Sequence, residues 1–144
     1  KVFGTSESIF LETYAQLPAA DDALLAKWTR IREIRDQVNK DIEALRADGK
    51  VGSSLQANVV LGATDADRAL LGSLGDDLKF VFITSAIELA AADATAAQVS
   101  TASATKCERC WHYRDDVGHD AAHPTICGRC TSNLYGAGED RKFA

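Results

Sequence analysis

The chain has 144 residues and a formal net charge of −5, with 46% hydrophobic and 26% charged residues. This is the composition of a globular protein with one domain or two small ones, and it excludes a disordered chain. No apolar stretch approaches the roughly 20 residues that cross a bilayer, so the sequence predicts no membrane-spanning helix. Because the chain begins with Lys1 and reads directly into structured sequence, we expect a piece of a longer protein.

The charges are unevenly distributed along the chain. Residues 1–100 carry ten basic and fifteen acidic side chains, whereas residues 101–144 carry six of each. A free-standing nucleic-acid-binding domain is expected to be basic. Any contact with nucleic acid must therefore be local, or must be helped by protein outside this chain.

The first predicted element is a long amphipathic helix from Asp21 to Asp48. Its apolar residues recur at steps of three or four and form one stripe: Leu24, Trp28, Ile31, Ile34, Val38, Ile42 and Leu45. Asp21 and Asp22 suit the N-terminus of a helix, and Gly49 suits its end. At about 1.5 Å per residue the helix would be about 40 Å long. We predict that it closes a helical bundle that precedes residue 1; a core helix of this chain alone is the alternative.

Short elements follow the long helix. The segment Lys50-Val51-Gly52-Ser53-Ser54-Leu55 predicts a turn, residues 56–61 a strand, and residues 65–74 a short helix that starts with acidic residues. The segment 79–85, Lys-Phe-Val-Phe-Ile-Thr-Ser, is the strongest strand candidate because aromatic and β-branched residues dominate it.

An Ala- and Thr-rich stretch at residues 90–105 ends this region. We predict a mobile linker there, with a strand near residues 98–100. The predicted organisation is therefore α+β in three parts. Residues 1–50 end a helical region, residues 51–104 form a small strand–helix–strand junction domain with its linker, and residues 105–144 form a small knuckle or ribbon that holds the cysteines.

All the cysteines of the chain lie in that last part, as Cys107, Cys110, Cys127 and Cys130. Two Cys-x2-Cys pairs with 16 residues between them have the spacing of a tetrahedral zinc site. Each pair can lie on a tight turn that directs two sulfurs to one point, and Gly128 supplies the permissive backbone that such a turn needs.

Three other readings of the cysteines are open on spacing alone: two disulfides, a redox-active pair, and a rubredoxin-like iron site. Disulfides would require an oxidising compartment, for which the sequence gives no indication. We predict one zinc ion per chain with a structural role, because four thiolates leave no coordination position for water or substrate. The three histidines, His112, His119 and His123, are expected on the surface or in loops.

The sequence contains no catalytic constellation. It has no Gly-rich phosphate loop, no nucleophile elbow and no zinc-binding His pair at helical spacing. The acidic pair Asp76 and Asp77 is predicted to be a solvated turn. On its own residues, the chain is a binding or structural module.

Several motifs resemble the C-terminal region of the bacterial isoleucyl-tRNA synthetases. They are Cys-Glu-Arg-Cys-Trp-His-Tyr at 107–113, Ile-Cys-Gly-Arg-Cys at 126–130, Gly-Glu-Asp-Arg-Lys-Phe-Ala at 138–144, and upstream Arg-Ala-Asp-Gly-Lys-Val-Gly-Ser-Ser-Leu at 46–55 and Gly-Asp-Asp-Leu-Lys-Phe-Val at 75–81. A group of DNA-repair glycosylases has a similar zinc-binding segment. The upstream motifs are therefore what distinguishes the synthetases from these glycosylases.

The resemblance implies a cytoplasmic, monomeric enzyme that joins isoleucine to tRNA(Ile) using ATP. The family's His-x-Gly-His and Lys-Met-Ser-Lys-Ser elements are absent from this sequence, so this part alone is expected to be inactive. Its expected role is to support tRNA binding on the anticodon side, together with the rest of the synthetase.

Four residues beside the cysteines are candidates for tRNA contacts: Arg109, Trp111, Tyr113 and Arg129. An aromatic ring can stack on an unstacked base, and an arginine can pair with a phosphate or a base edge. Alternatively, the aromatic rings cover the zinc site, and the arginines are solvated or donate to a cysteine sulfur. Two other functions are open, a zinc ribbon that contacts protein or DNA and a structural cap.

Overall fold

A computed structural model describes residues 8, 10, 13–14, 16–140 and 142. The opening residues of the predicted first part, and residues 141, 143 and 144 of the quoted closing motif, lie outside the described residues. Within them, helices and strands are mixed along the chain, and four cysteines cluster in its C-terminal region. The predicted α+β class with a C-terminal cysteine knuckle is confirmed.

Helix α1 spans Asp22–Ala47, as its apolar period predicts. The Asp21 carboxylate accepts a hydrogen bond from the backbone N–H of Leu24 at 3.0 Å and caps the first turn. After the helix, Gly49 takes a positive φ of 71°, which glycine adopts without steric cost. No helix within the described part of the chain is long and apolar enough to cross a membrane.

A three-stranded sheet follows, with strand order β2-β1-β3. Strand β1 (Ala57–Ala63) pairs in parallel with β2 (Ala86–Ala91) and antiparallel with β3 (Ala96–Thr101). Helix α2 (Asp65–Gly72) forms part of the crossover between the two parallel strands. The strand and the helix predicted for residues 56–61 and 65–74 are both confirmed.

One core joins the long helix to this sheet. Ile31, Ile34, Val38 and Ile42 are buried together with alternate β1 residues, among them Val59 and Leu61. The helix stripe thus packs as a core helix of this chain, the alternative that the sequence left open. Membership of a preceding bundle and the proposed boundaries at residues 50 and 104 stay predictions.

The segment 79–85 is not a strand, so that prediction was wrong. Helix α3 spans Leu78–Phe82 and ends where Ile83 takes a left-handed conformation, with φ of 57°. Leu78 and Phe82 lie four residues apart, and on a helix both turn to the core, where both are buried. Burial of this pair outweighs the high β propensity of the segment.

The predicted mobile linker at 90–105 is also wrong, because β2 and β3 occupy much of that stretch. The strand expected near residues 98–100 lies within β3 and is confirmed. The low β propensity of alanine is overridden because both edges of β1 accept a partner, with Val59 opposite both Ile87 and Val99. Ala97 and Val99 pack against the core, while Gln98 and Ser100 are exposed.

A buried carboxylate connects α1, α2 and the turn between β2 and β3. Arg30 donates to both oxygens of Asp67, at 2.9 and 2.8 Å, and the Thr95 hydroxyl donates to Oδ2 at 2.6 Å. These hydrogen bonds, the Arg30 pair first, lower the pKa of Asp67 from 3.8 to about 2.

We expect Asp67→Asn to lower the free energy of unfolding by about 1–2 kcal/mol at neutral pH. Because the folded pKa lies below the unfolded value, the stabilisation is present above pH 3.8 and is lost as the pH falls towards 2. Urea denaturation of both proteins along a pH series measures the difference. Asp65→Asn is the matched control, since the Asp65 side chain is 91% exposed and its substitution should have little effect. A pH-independent difference would contradict this account.

Candidate metal centre

The first cysteine pair lies on a turn between two short strands. Strand β4 (Thr105–Lys106) pairs antiparallel with β5 (Tyr113–Arg114). Inside this hairpin, the Cys107 N–H donates to the His112 carbonyl, and the Trp111 N–H donates to the Cys107 carbonyl, both at 2.9 Å. Trp111 follows the second cysteine of this turn with a positive φ of 67°.

The second pair lies at the start of helix α4 (Gly128–Tyr135). Cys127 is its N-cap and Cys130 is in its first turn, so both sulfurs are at the N-terminal end of one helix. The Glu108 N–H donates to the Thr125 carbonyl at 3.1 Å and ties the two turns together. The Cys127 N–H donates to the Cys107 sulfur at 3.3 Å.

The four sulfurs converge on one point. All four Sγ atoms lie within 4.8 Å of one another, and two of the distances, Cys107–Cys130 and Cys110–Cys127, are 3.8 Å. Four sulfurs placed 2.3 Å from a zinc ion at tetrahedral angles are about 3.8 Å apart. The donor set therefore fits zinc. No disulfide joins the four cysteines.

The surroundings of three of the thiols shift their pKa values, and not all in the same direction. Burial raises the pKa of the Cys110 and Cys127 thiols. At Cys107 burial acts in the same direction, but hydrogen bonds from the backbone of Cys110, Cys127 and Arg109 outweigh it and bring the pKa to about 6. A bound cation would hold all four as thiolates and offset the cost of burying their charge.

The histidines lie outside the cysteine cluster. His119 is exposed and His123 is half-buried, as a surface or loop position implies. His112 differs from the expectation: it is buried, with Nδ1 3.2 Å from the Cys110 carbonyl and its ring edge-on to Phe80 at 5.4 Å. Burial also lowers its pKa. Residues 105–135, which carry the four cysteines, are called the finger. His112 is buried because it lies where the finger contacts helix α3.

Two of the tRNA-contact candidates are exposed on the finger. The Trp111 side chain is 60% exposed. Arg109 is exposed too, and its Nη1 lies 3.6 Å from the Cys130 sulfur, within the distance for a weak hydrogen bond.

The other two candidates face the α/β unit, which consists of helices α1 to α3 and the sheet of β1, β2 and β3. Tyr113 is half-buried, and its N–H donates to the Ser85 hydroxyl at 2.6 Å. Arg129 forms an ion pair with Glu139 at 2.6 Å, and its guanidinium carbon lies 4.6 Å from the centre of the Phe80 ring. The structure therefore brings these four residues around one finger, but on different sides of it.

Sequence reasoning missed three residues that support the site. Lys106 lies over the Trp111 ring at 5.4 Å, and its position directly before the first cysteine was the available signal. Phe80 and Ser85 join the finger to the α/β unit through the contacts already described. Because they lie in the segment misread as a strand, no local pattern indicated them.

Comparison with known proteins gives two kinds of match. Residues 105–133 match the family model described as a zinc finger found in FPG and IleRS. The chain is also 53% identical to the isoleucine–tRNA ligase of Ralstonia pickettii, 51% to that of Thiobacillus denitrificans and 54% to that of Bordetella pertussis. These matches cover 96, 96 and 95% of this chain, which spans about 15% of the length of each relative.

These findings bear on the cofactor and on the family. A zinc-finger family match and four convergent thiols together confirm the prediction of structural zinc. Near-complete coverage at about half identity extends the resemblance well beyond the finger. The resemblance drawn from the sequence is thereby confirmed: this chain matches the C-terminal, zinc-finger-bearing region of the bacterial isoleucine–tRNA ligases.

Proposed function

We propose that this chain is the non-catalytic, tRNA(Ile)-binding end of a monomeric cytoplasmic isoleucine–tRNA ligase, which joins isoleucine to its tRNA using ATP. In this proposal Cys107, Cys110, Cys127 and Cys130 ligate one zinc ion. The ion supplies folding free energy, of order 10–16 kcal/mol in small zinc domains. It thereby turns a segment with little core of its own into a rigid support for RNA contacts.

The observation that carries the proposal is the conformation of Trp111. A bulky residue with a φ of 67° is strained, and glycine would fit the same turn without that cost. The residue is nevertheless 60% exposed, so it contributes little to a core. A large aromatic ring kept at a strained position and left in solvent is typical of a binding residue.

The charges around Trp111 agree with an RNA ligand. Lys106 lies over the ring at 5.4 Å, and the exposed Arg109 is two residues before Trp111 in the sequence. A base that stacks on Trp111 brings a neighbouring phosphate within reach of Lys106, which lies over the same ring. The local positive charge allows contact with RNA although the net charge of the whole chain is negative.

Tyr113 and Arg129 belong to the same proposal with different roles. Tyr113 lies across the β4–β5 pair from Lys106, so it is next to this positive charge. Arg129 is already engaged by Glu139 and by the Phe80 ring. Its contact with tRNA therefore requires that ion pair to open.

The test replaces Trp111 by glycine in the complete synthetase. We expect Trp111→Gly to raise the apparent KM for tRNA about tenfold, the loss of one stacked base, and to leave isoleucine activation unchanged. The free energy of unfolding should stay the same or rise, because glycine relieves the positive φ. Aminoacylation kinetics, pyrophosphate exchange and urea denaturation give the three readouts.

Ile83→Gly is the matched control for this experiment. Ile83 also has a positive φ, 57°, and is 44% exposed, but it lies in the α/β unit. It should relieve strain in the same way without changing the KM for tRNA. If Trp111→Gly lowers stability and leaves the KM unchanged, the ring covers the zinc site and the finger is a structural cap.

A further inference from the structure

The finger has a concave surface that does not include Trp111. It is lined by Glu108 and Arg109, by residues 122–126, and by Leu134 and Tyr135, with a volume of about 390 Å³. The two cysteine turns and the end of α4 all contribute to it. We call this surface the Tyr135 depression.

A stacked aromatic pair forms one side of the depression. The rings of His123 and Tyr135 lie 3.9 Å apart with an interplanar angle of 2°. Although one face of Tyr135 is covered by His123, the residue is still 64% exposed. A flat ring with a free face can extend its stack by one more planar group.

The metal site holds this depression rigid. The Glu108 N–H donates to the Thr125 carbonyl at 3.1 Å, so one wall is tied to the first cysteine turn. The Ile126 N–H donates to the His123 carbonyl at 3.3 Å, directly before Cys127. Tyr135 lies on the helix that carries Cys127 and Cys130 at its start. Because the two rings are already held in place, binding of a ligand costs little conformational entropy.

The polar groups of the depression match a nucleotide. Arg109 is exposed at its edge, where the guanidinium can pair with a phosphate. Glu108 lies beside it and can accept a hydrogen bond from the exocyclic amino group of a base. The depression, at about 390 Å³, has room for one base.

We propose that the Tyr135 depression binds one unstacked base of single-stranded RNA, with the ring of Tyr135 as its stacking surface and Arg109 at the adjacent phosphate. This inference rests on the proposed function and adds a second base position to it. Tyr135 is the residue on which the second position depends. Stacking of this kind is open to any base, because every base has a π face, and the Glu108 contact favours a base that carries an exocyclic amino group.

The test measures RNA binding by the zinc-loaded chain in low salt. The probes are a fluorescein-labelled single-stranded RNA of seven mixed-sequence nucleotides and a blunt RNA duplex that is long enough to stay paired in low salt. We expect Tyr135→Ala to weaken binding of the single strand at least fivefold, whereas Tyr135→Phe keeps it, because phenylalanine retains the ring. Binding of the duplex should be the same in all variants, since its bases are already stacked.

Two controls accompany the measurement. Tyr14→Ala removes another fully exposed tyrosine far along the chain from the finger and should leave binding unchanged. Zinc content and near-ultraviolet circular dichroism must agree between the variants and the parent, which excludes loss of the fold as the cause.

The outcomes separate this inference from the proposed function. If Trp111→Gly weakens binding of the single strand and Tyr135→Ala does not, the second base position is overturned and the proposed function stands. If Tyr135→Ala weakens the single strand and the duplex equally, the depression contributes no stacking and the inference also fails. If the parent binds neither probe, the second base position is overturned, whereas the proposed function is decided by the KM for tRNA of the complete synthetase.

Discussion

Replacing Cys127 by serine is expected to unfold the finger while the α/β unit remains folded. The finger has a small hydrophobic cluster of its own, made mainly of the cysteines with Val117 and Ile126. A zinc ion contributes about 10–16 kcal/mol to such a domain, far more than these contacts can replace. The α/β core, with Ile31 and Phe82, does not include the finger and should persist.

Circular dichroism and limited proteolysis measure this change. The far-ultraviolet helical signal of α1 should remain, and cleavage should concentrate within residues 105–135. His119→Ala is the matched control, because His119 is exposed and lies outside the cysteine cluster. A Cys127→Ser chain that resists protease as well as the parent would show that the finger is held by protein contacts alone.

Replacing Phe82 by alanine is expected to lower the free energy of unfolding by about 3–5 kcal/mol, the usual cost of a phenylalanine cavity in a core. Phe82 is completely buried among residues of α1 and the sheet. Phe80, two residues earlier, instead contacts His112 and Arg129 of the finger. Phe80→Ala should therefore cost less, about 1–2 kcal/mol.

The comparison of these two variants tests the helical conformation of α3. On a strand, Phe80 and Phe82 would share one face and would be buried alike. On the helix they point to different neighbours, so Phe80→Ala should mainly loosen the finger and Phe82→Ala the core. Urea denaturation followed by protease mapping distinguishes the two effects. Equal losses of stability from both substitutions would contradict the structure of this segment.

The elements predicted correctly are those with a strong local pattern. The helix period from Leu24 to Leu45 extends over six turns, and its start and end carry suitable residues, so α1 is found within one residue at each end. The cysteine spacing likewise predicts the converging sulfurs, because four ligands for one ion leave few arrangements. Neither result needs knowledge of the rest of the fold.

The elements predicted wrongly depend on contacts between distant residues. A five-residue helix gives no measurable period, and only the core that receives Leu78 and Phe82 decides between helix and strand. The strands β2 and β3 form from an alanine-rich segment because β1 offers two edges. The alternation of Ala97 and Val99 with polar residues was a weak signal for β3.

The surroundings of the metal centre were predicted only in part. Residues next to a cysteine, such as Arg109 and Trp111, were found because they are adjacent in sequence. Lys106 reaches Trp111 across a hairpin, and Tyr135 reaches His123 from the far end of α4. Such pairs become visible only when the turn and the helix are in place.

The most direct test of the central claim is the metal content of the purified chain, measured together with the reactivity of its thiols. The account predicts one zinc per chain and four thiols that react with a disulfide reagent only after a chelator has removed the metal. A chain that is folded, metal-free and fully reactive at all four thiols would contradict the account. So would a chain whose cysteines are joined in disulfides.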